Sequence, residues 1–328
     1  MLYVRFWGFF CAALLLPVAC GASEARASDG QPAAPPAAPA AFRTNAQIVL
    51  VPIAVTDHNG KTVDGLGAKD FRIFEDHIAQ QITSFTAEDA PASVGLVLDV
   101  SGSMRDSLQG AKAVAHSFLE SANPEDEFLL LTVSTQPDAI SNFTTDAATL
   151  EQSIAGASAG GMTALIDTVY LGLNGMRHAH QARRAILILS DGMDNYSRYS
   201  QSELMRAALE ADVQIYAIIV NGISGGSASG GAPFRPSMAG KPIDMARARE
   251  GPNMLEEIAA KTGGLYFHVR SVGEAMEAAA RAGRALRNQY VIGYQPSASS
   301  PSGKWREVRV KSNLPKLRVY ARSGYYAP

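Results

Sequence analysis

The sequence predicts an α/β fold in which a doubly wound, mostly parallel sheet is inserted into a small β domain formed by both chain ends. Two observations lead to this prediction. Between about residues 91 and 288, short apolar runs typical of buried strands alternate with patterns typical of amphipathic helices. On either side of this middle part, the recognisable patterns are those of strands and turns. The predicted order is a signal peptide (1–27), a linker (28–43), the first part of the β domain (44–90), the α/β domain (91–288) and the second part of the β domain (289–328).

The chain begins with a pattern typical of a secretory signal peptide. Arg5 precedes an apolar run over residues 6–19, and Ala25-Arg26-Ala27 has the small-residue pattern of a cleavage site. We therefore predict cleavage after Ala27 and a protein that is secreted or located in the periplasm or cell envelope. A second interpretation is cleavage before Cys20, which would anchor the protein through a lipid on that residue.

Composition narrows the possible functions. The formal net charge is −2 and no basic block stands out, which argues against a nucleic-acid partner. Both cysteines, Cys11 and Cys20, lie in the predicted leader, so cleavage after Ala27 leaves a mature chain without disulfides. Residues 28–43 are rich in proline and alanine, a composition that predicts an extended linker.

The two chain ends carry the strand patterns of the predicted β domain. The expected strands cover residues 48–55, 71–74, 81–85, 290–294, 306–311 and 317–321. Because a few short strands bury little surface by themselves, we expect the two sets to combine. The alternative is two separate β pieces that pack independently on the middle domain.

The middle domain alternates predicted strands and helices. The strands cover residues 94–98, 128–133, 185–189, 213–220 and 265–269, with a weaker strand at 140–144. The helices cover residues 105–121, 164–178, 202–212, 253–262 and 272–287. A long irregular stretch, 221–250, leaves from the carboxyl edge of the predicted sheet. It either flanks a site at that edge and influences the choice of ligand, or it is a linker without a role.

Oxygen-bearing side chains follow the first strand of this domain. The apolar run 94–98 leads into Asp99-Val-Ser101-Gly-Ser103, which places a carboxylate and two hydroxyls at alternate positions before a helix. Ligands bind at this edge of open α/β sheets. Oxygen donors without sulfur or imidazole suit Mg²⁺ or Mn²⁺ better than zinc. A simpler interpretation is that Asp99 or Ser101 caps the helix.

Two later turns add further oxygens. Thr163 lies in a glycine-led turn before a predicted helix, and Asp191 follows the apolar strand 185–189. Each feature alone is ordinary capping or turn chemistry. Because all three loops belong to one edge of one sheet, the sequence predicts a shared metal site. The predicted site consists of Asp99, Ser101, Ser103, Thr163 and Asp191.

These residues resemble the metal-ion-dependent adhesion site of the von Willebrand factor type A domain. That family's D-x-S-x-S motif is met by Asp99, Ser101 and Ser103, its threonine by Thr163, and its later aspartate by Asp191. The resemblance covers about residues 92–287. The chain ends also resemble a group of secreted bacterial proteins related to this domain. The matching phrases are Val55-Thr-Asp, Gly65-Leu, Asp70-Phe71, Tyr290-Val-Ile-Gly-Tyr and Gly324-Tyr-Tyr.

The resemblance implies a Rossmann-like fold and a protein that binds other proteins rather than an enzyme. It implies that Ser101, Ser103 and Thr163 contact the ion, whereas Asp99 and Asp191 act largely through water. The ion would keep an open position for an aspartate or glutamate carboxylate of a partner protein. We expect Mg²⁺ or Mn²⁺ as the ion and adhesion as the function.

Two other functions remain as alternatives. The protein could be a scaffold of a cell-envelope assembly whose ion is purely structural. It could also be a metal-dependent hydrolase, with Asp194 or Glu127 as the base. Against an enzyme, the chain has no His-Glu-x-x-His motif, and we interpret His178 and His180 as solvated surface residues.

Overall fold

The computed structural model describes residues 48–220, 245–296 and 303–327, with main chain only for 245–252. The described residues do not include the predicted signal peptide, Cys20 or the linker. They also do not include residues 221–244 of the predicted irregular stretch. Residues 46–328 form one compact unit, so the division into an α/β domain and a β domain remains a prediction.

The elements follow one another in nearly the predicted order. The first strands are β1 (Val49–Thr56), β2 (Phe71–Glu75), β3 (Ile78–Gln80) and β4 (Ile82–Asp89). The middle part contains β5 (Ala92–Asp99), α1 (Leu108–Glu120), β6 (Glu127–Val133), β7 (Asp138–Ala139), α2 (Ala147–Gly156), α3 (Leu165–Gly175), β8 (Arg183–Ser190), α4 (Gln201–Ala211), β9 (Gln214–Ile219), α5 (Met245–Thr262), β10 (Tyr266–His268) and α6 (Val272–Arg287). The last strands are β11 (Asn288–Tyr294), β12 (Trp305–Ser312), β13 (Arg318–Ala321) and β14 (Gly324–Tyr326). None of the helices in the described ranges is long and apolar enough to cross a bilayer.

The central sheet confirms the predicted doubly wound fold. Its strand order is β10-β9-β8-β5-β6-β7, and all neighbours are parallel except the short edge strand β7. Helices α1, α2 and α6 pack on one face, and α3, α4 and α5 pack on the other. Every residue of β5 is buried, as expected for a strand covered on both faces.

The two chain ends combine into shared sheets, so the alternative of two independent β pieces is wrong. One sheet has the order β13-β1-β11-β4 and the other β14-β12-β2-β3, and each contains strands from both ends of the chain. Antiparallel pairs β1–β11 and β2–β12 join the ends directly. A separate apolar core that includes Ile53, Ile73 and Ile292 lies among these strands.

Some elements differ from the prediction. Helix α2 was not predicted, because only Leu150 and Ile154 of its ten residues are buried and its apolar pattern is weak. The weak strand expected at 140–144 is absent, and this region has only β7 and a single bridge between Phe128 and Thr144. Helix α5 begins at Met245, eight residues before the predicted start, and it continues through Gly251 and Pro252, two residue types that usually interrupt helices.

Candidate functional site

The first loop of the candidate site begins with Asp99, the last residue of β5. Its side chain is completely buried. Oδ1 accepts a hydrogen bond from the main-chain N–H of Ser101 at 2.9 Å, and Oδ2 accepts one from the Ser190 hydroxyl at 2.5 Å. Ser190 ends the neighbouring strand β8. Both oxygens of Asp99 are therefore held by the protein, which fixes the orientation of the carboxylate.

The two serines of the same loop come together. Their hydroxyl oxygens, Oγ of Ser101 and Oγ of Ser103, lie 3.0 Å apart. Ser101 is buried and Ser103 is exposed, so the pair extends from the core to the surface. A short 3-10 helix (Gly102–Asp106) turns the chain here, and α1 begins only at Leu108. The Ser101 side chain makes no capping hydrogen bond to the 3-10 helix, and Asp99 accepts from Ser101 and Ser190 instead. Neither residue therefore has the helix-capping role of the simpler interpretation.

The second loop is hydrogen-bonded to the first. The N–H of Gly160 donates to the carbonyl of Val100 at 2.8 Å, and the N–H of Gly102 donates to the carbonyl of Gly161 at 3.0 Å. Gly161 has φ +78°, and a Cβ atom there would lie 2.6 Å from the Thr135 hydroxyl oxygen. The positive φ and the close contact with Thr135, which follows β6, therefore favour glycine at position 161.

Thr163 is held by its main chain and not by its hydroxyl. Its N–H donates to Oδ1 of Asn195, and its carbonyl accepts from the N–H groups of Asn195 and Tyr196, each at 3.0 Å. The residue is 2% exposed. Within the described part of the chain, the Thr163 hydroxyl makes no hydrogen bond. A hydroxyl that no protein group bonds, in a residue that is otherwise enclosed, is a candidate ligand for a cation.

The third loop brings a second carboxylate close to Asp99. Asp191 follows β8 directly and is 6% exposed, and its Oδ1 accepts a hydrogen bond from the N–H of Met193 at 2.9 Å. Burial, followed by the negative charge of Asp191, raises the pKa of Asp99 to about 6. Two buried like charges thus lie near one another, an arrangement that a positive ion would stabilise.

The donor set fits a hard divalent cation. It consists of three hydroxyls and two carboxylates, all oxygen donors of the kind that Mg²⁺ and Mn²⁺ prefer. Hydrogen bonds connect the first loop to the second, the second to the third through Thr163, and the third to the first through Ser190. Among the described residues, no three histidine, cysteine, aspartate or glutamate side chains form a metal-binding cluster. Occupancy of the site by a metal stays a prediction.

Of the two candidate bases, Glu127 lies at the opposite edge of the sheet, whereas Asp194 belongs to the third loop, three residues after Asp191. Glu127 and His180 are at the amino edge of the sheet, where Oε2 of Glu127 is 2.8 Å from Nδ1 of His180. His178 and His180 are exposed, as expected, although His180 also has this ionic partner. Asp194 is buried, and its Oδ1 accepts hydrogen bonds from the N–H of Ile166, in the first turn of α3, and from the Ser197 hydroxyl.

Two supporting residues were not among the predicted site residues. Ser190 holds Asp99, and its position at the end of an apolar strand was a usable signal. Asn195 holds the main chain of Thr163, which lies 32 positions away in the sequence. No local pattern identifies Asn195, because its role depends entirely on a contact between two loops.

A comparison with protein families identifies the segment that carries the site. Residues 94–193 match the family model of the von Willebrand factor type A domain. All five predicted site residues lie within this type A segment. No curated protein matches the chain.

Several solved structures are similar in fold. A von Willebrand factor type A protein from Catenulispora acidiphila is 12% identical, with a TM-score of 0.45, over 87% of this chain and 75% of that one. An aerotolerance-related membrane protein from Bacteroides fragilis is 19% identical, with a TM-score of 0.44, over 59% of this chain and 98% of that one. The vWF domain of the type V pili tip protein Mfa5 from Porphyromonas gingivalis is 25% identical, with a TM-score of 0.31, over 32% of this chain and 39% of that one.

Proposed function

We propose that this protein is exported and binds other proteins through a divalent cation, Mg²⁺ or Mn²⁺, at the carboxyl edge of the central sheet. In this proposal it is a non-enzymatic adhesion protein of the secreted bacterial type A group, free or anchored through Cys20. The observation that supports the proposal most directly is the set of hydroxyls at this edge. Ser101 and Ser103 present two oxygens 3.0 Å apart, and the hydroxyl of Thr163 has no hydrogen-bond partner in the described ranges.

The proposed roles follow from how each side chain is held. The hydroxyls of Ser101, Ser103 and Thr163 would hold the ion. Both oxygens of Asp99 already accept hydrogen bonds from the protein, so this carboxylate is suited to act through water and to orient the loop. Asp191 would act in the same way. When bound, the ion would supply an electrophilic position that accepts a carboxylate from a partner protein.

The low number of direct anionic ligands explains why such a site favours binding an external acid. Neutral hydroxyls leave more of the positive charge of the ion uncompensated than carboxylates do. A carboxylate of a partner protein can supply the missing negative charge. Glu127 lies at the opposite edge of the sheet, and Oδ1 of Asp194 already accepts two hydrogen bonds, so we propose binding rather than hydrolysis.

Calorimetric titration of Mg²⁺ and Mn²⁺ into chelator-treated full-length protein tests the metal site. We expect the double variant Ser101→Ala/Ser103→Ala to bind the ion at least about tenfold more weakly, because two ligands are removed. The matched control is Ser84→Ala, which changes an exposed serine on β4 of a flanking sheet. Equal affinity in the double variant and the wild type would contradict the proposed site.

A pull-down from the native cell envelope tests the binding function. The proposal requires a partner that is retained in Mg²⁺, released by EDTA, and lost with the double serine variant. Retention in EDTA would favour a scaffold with a structural ion instead. Turnover of an ester or phosphoester panel that depends on the same serines would favour a hydrolase.

A further inference from the structure

The loops of the candidate site carry some of the large apolar side chains that the protein exposes. The described part of the chain exposes nine large apolar side chains, and three of them are Met162, Tyr196 and Tyr199. Met162 is 38% exposed and immediately precedes Thr163, while Tyr196 is 52% exposed and follows Asp191 by five residues. We refer to Met162 and Tyr196 together as the apolar rim.

The main chain of both rim residues is fixed next to Thr163. The N–H of Tyr196 donates to the Thr163 carbonyl at 3.0 Å, and the N–H of Met162 donates to the Thr135 hydroxyl at 2.9 Å. Both side chains therefore start from main-chain positions adjacent to a predicted metal ligand. A surface that is ordered before binding loses less conformational entropy when a partner covers it.

Further contacts hold the rest of the loop that carries Tyr196. The Ser197 hydroxyl accepts from the N–H of Asp167 at 3.1 Å and donates to Oδ1 of Asp194 at 2.5 Å. The N–H groups of Arg198 and Tyr199 donate to Oδ1 of Asp167 at 2.9 and 3.1 Å. Residues 194–199 are thus attached to the first turn of α3, so Tyr196 belongs to a well-anchored segment.

The exposed side chains that follow Ser103 are charged rather than apolar. Arg105 is two residues after Ser103, its side chain is exposed, and it makes no ion pair within the ranges that the structure describes. The exposed carboxylate of Asp106 follows it directly, so this side of the site carries charges of both signs. The site is therefore bordered by charged side chains near Ser103 and by apolar side chains next to Thr163.

From this arrangement we infer that the partner presents an acidic residue with a large apolar or aromatic residue beside it. The inference rests on the proposed function, in which the cation binds the carboxylate. The neighbouring apolar side chain then packs on the apolar rim. Covering one aromatic ring with apolar surface corresponds to about tenfold in affinity.

The test is selection from a multivalent display library of heptapeptides with a fixed central aspartate and random flanks. Peptides are bound to the full-length wild-type protein in Mg²⁺ and eluted with EDTA. We expect enrichment of Phe, Trp, Tyr, Leu or Met next to the fixed aspartate. On the variant Met162→Ser/Tyr196→Ser, the dependence on aspartate and Mg²⁺ should persist, and the apolar preference should disappear. Synthetic versions of the enriched peptides should bind this variant about tenfold more weakly.

The controls separate this inference from the proposed function. Met276→Ser changes a residue of similar exposure on α6 and should leave the selection unchanged. Mg²⁺ affinity of the rim variant, measured by calorimetry, should equal that of the wild type. The inference would be overturned if the peptides enriched on the wild type lacked an apolar residue next to the aspartate. It would also be overturned if the rim variant enriched the same peptides as the wild type. Either result would leave the proposed function intact. No Mg²⁺-dependent enrichment on a protein that binds Mg²⁺ would overturn both.

Discussion

The amino edge of the central sheet contains a serine and a carboxylate much like those at the carboxyl edge. There, Oε1 of Glu127 accepts from the Ser93 hydroxyl at 2.5 Å and from the His180 N–H at 2.7 Å. Oε2 lies 2.8 Å from the His180 ring. Burial alone would raise the pKa of Glu127, but these hydrogen bonds and the nearby histidine lower it below its usual value. The carboxylate at this edge is fully satisfied by the protein.

At the carboxyl edge, the pKa of the buried carboxylate is shifted in the opposite direction. Asp99 also accepts two hydrogen bonds, yet burial and the charge of Asp191 raise its pKa to about 6. The hydroxyl of Thr163 has no partner in the part of the chain that the structure describes. A serine–carboxylate pair is therefore not in itself a sign of a metal site. The useful signs are a second carboxylate and a hydroxyl that the protein leaves unbonded.

The largest predicted effect is an opposite pH dependence of stability from the two edges in the metal-free protein. Between its ordinary pKa of 3.8 and about 6, Asp99 keeps a proton in the folded state that it loses in the unfolded state. Its contribution to the free energy of unfolding therefore falls as the pH rises through this window, by up to about 3 kcal/mol. Glu127 has a lowered pKa, so its contribution is present above its ordinary value of 4.5 and is lost as the pH falls.

Urea unfolding in EDTA between about pH 3 and 7 measures this difference, because the window of Glu127 lies below pH 4.5 and that of Asp99 lies between 3.8 and about 6. We expect Asp99→Asn to become more stable relative to the wild type as the pH rises, and Glu127→Gln to become less stable. Saturating Mg²⁺ should remove the penalty at Asp99, because the cation stabilises the charged form. The comparison of the two edges fails if both variants show the same pH dependence.

Much of the fold and the predicted set of site residues were accessible from the sequence. Buried strands such as β5 and β8 are short apolar runs, and the oxygens that follow them stand at their carboxyl ends in the sequence itself. The D-x-S-x-S spacing is local, so its convergence in one loop could be predicted. Helix α2 was missed because it is mostly exposed, and its apolar period covers only two buried residues.

Contacts between distant loops could not be predicted in the same way. The pairing of His180 with Glu127 links residues 53 positions apart, and the pairing of Thr163 with Asn195 links residues 32 positions apart. In both cases the sequence identified one residue as exposed or polar but did not indicate its partner. Such contacts depend on which strands become neighbours in the fold. They produce no repeating pattern in the sequence from which they could be predicted.

The second predicted effect concerns the carboxyl edge. Asn195→Leu keeps the approximate shape of the side chain but removes the oxygen that accepts from the Thr163 N–H. We expect Mg²⁺ affinity to fall about tenfold, because residues that orient ligands contribute by this amount. Calorimetric titration measures the change.

A conservative variant separates orientation from folding. Asn195→Asp restores an acceptor oxygen and should recover most of the affinity that Asn195→Leu loses. Thermal unfolding of both variants in EDTA shows whether the fold is affected. If Asn195→Leu binds Mg²⁺ like the wild type, Thr163 either needs no support from Asn195 or is not a ligand.

The smallest predicted effect comes from the amino edge. His180→Ala removes the contact of an imidazole ring that is 77% exposed, so the expected loss of stability is below about 1 kcal/mol. The main-chain N–H of residue 180 and the Ser93 hydroxyl still donate to Glu127, which keeps its carboxylate satisfied. Mg²⁺ affinity should not change, because this edge is at the opposite end of the strands from Asp99. A loss of Mg²⁺ affinity comparable to that of Asn195→Leu would mean that the two edges are energetically coupled through the sheet.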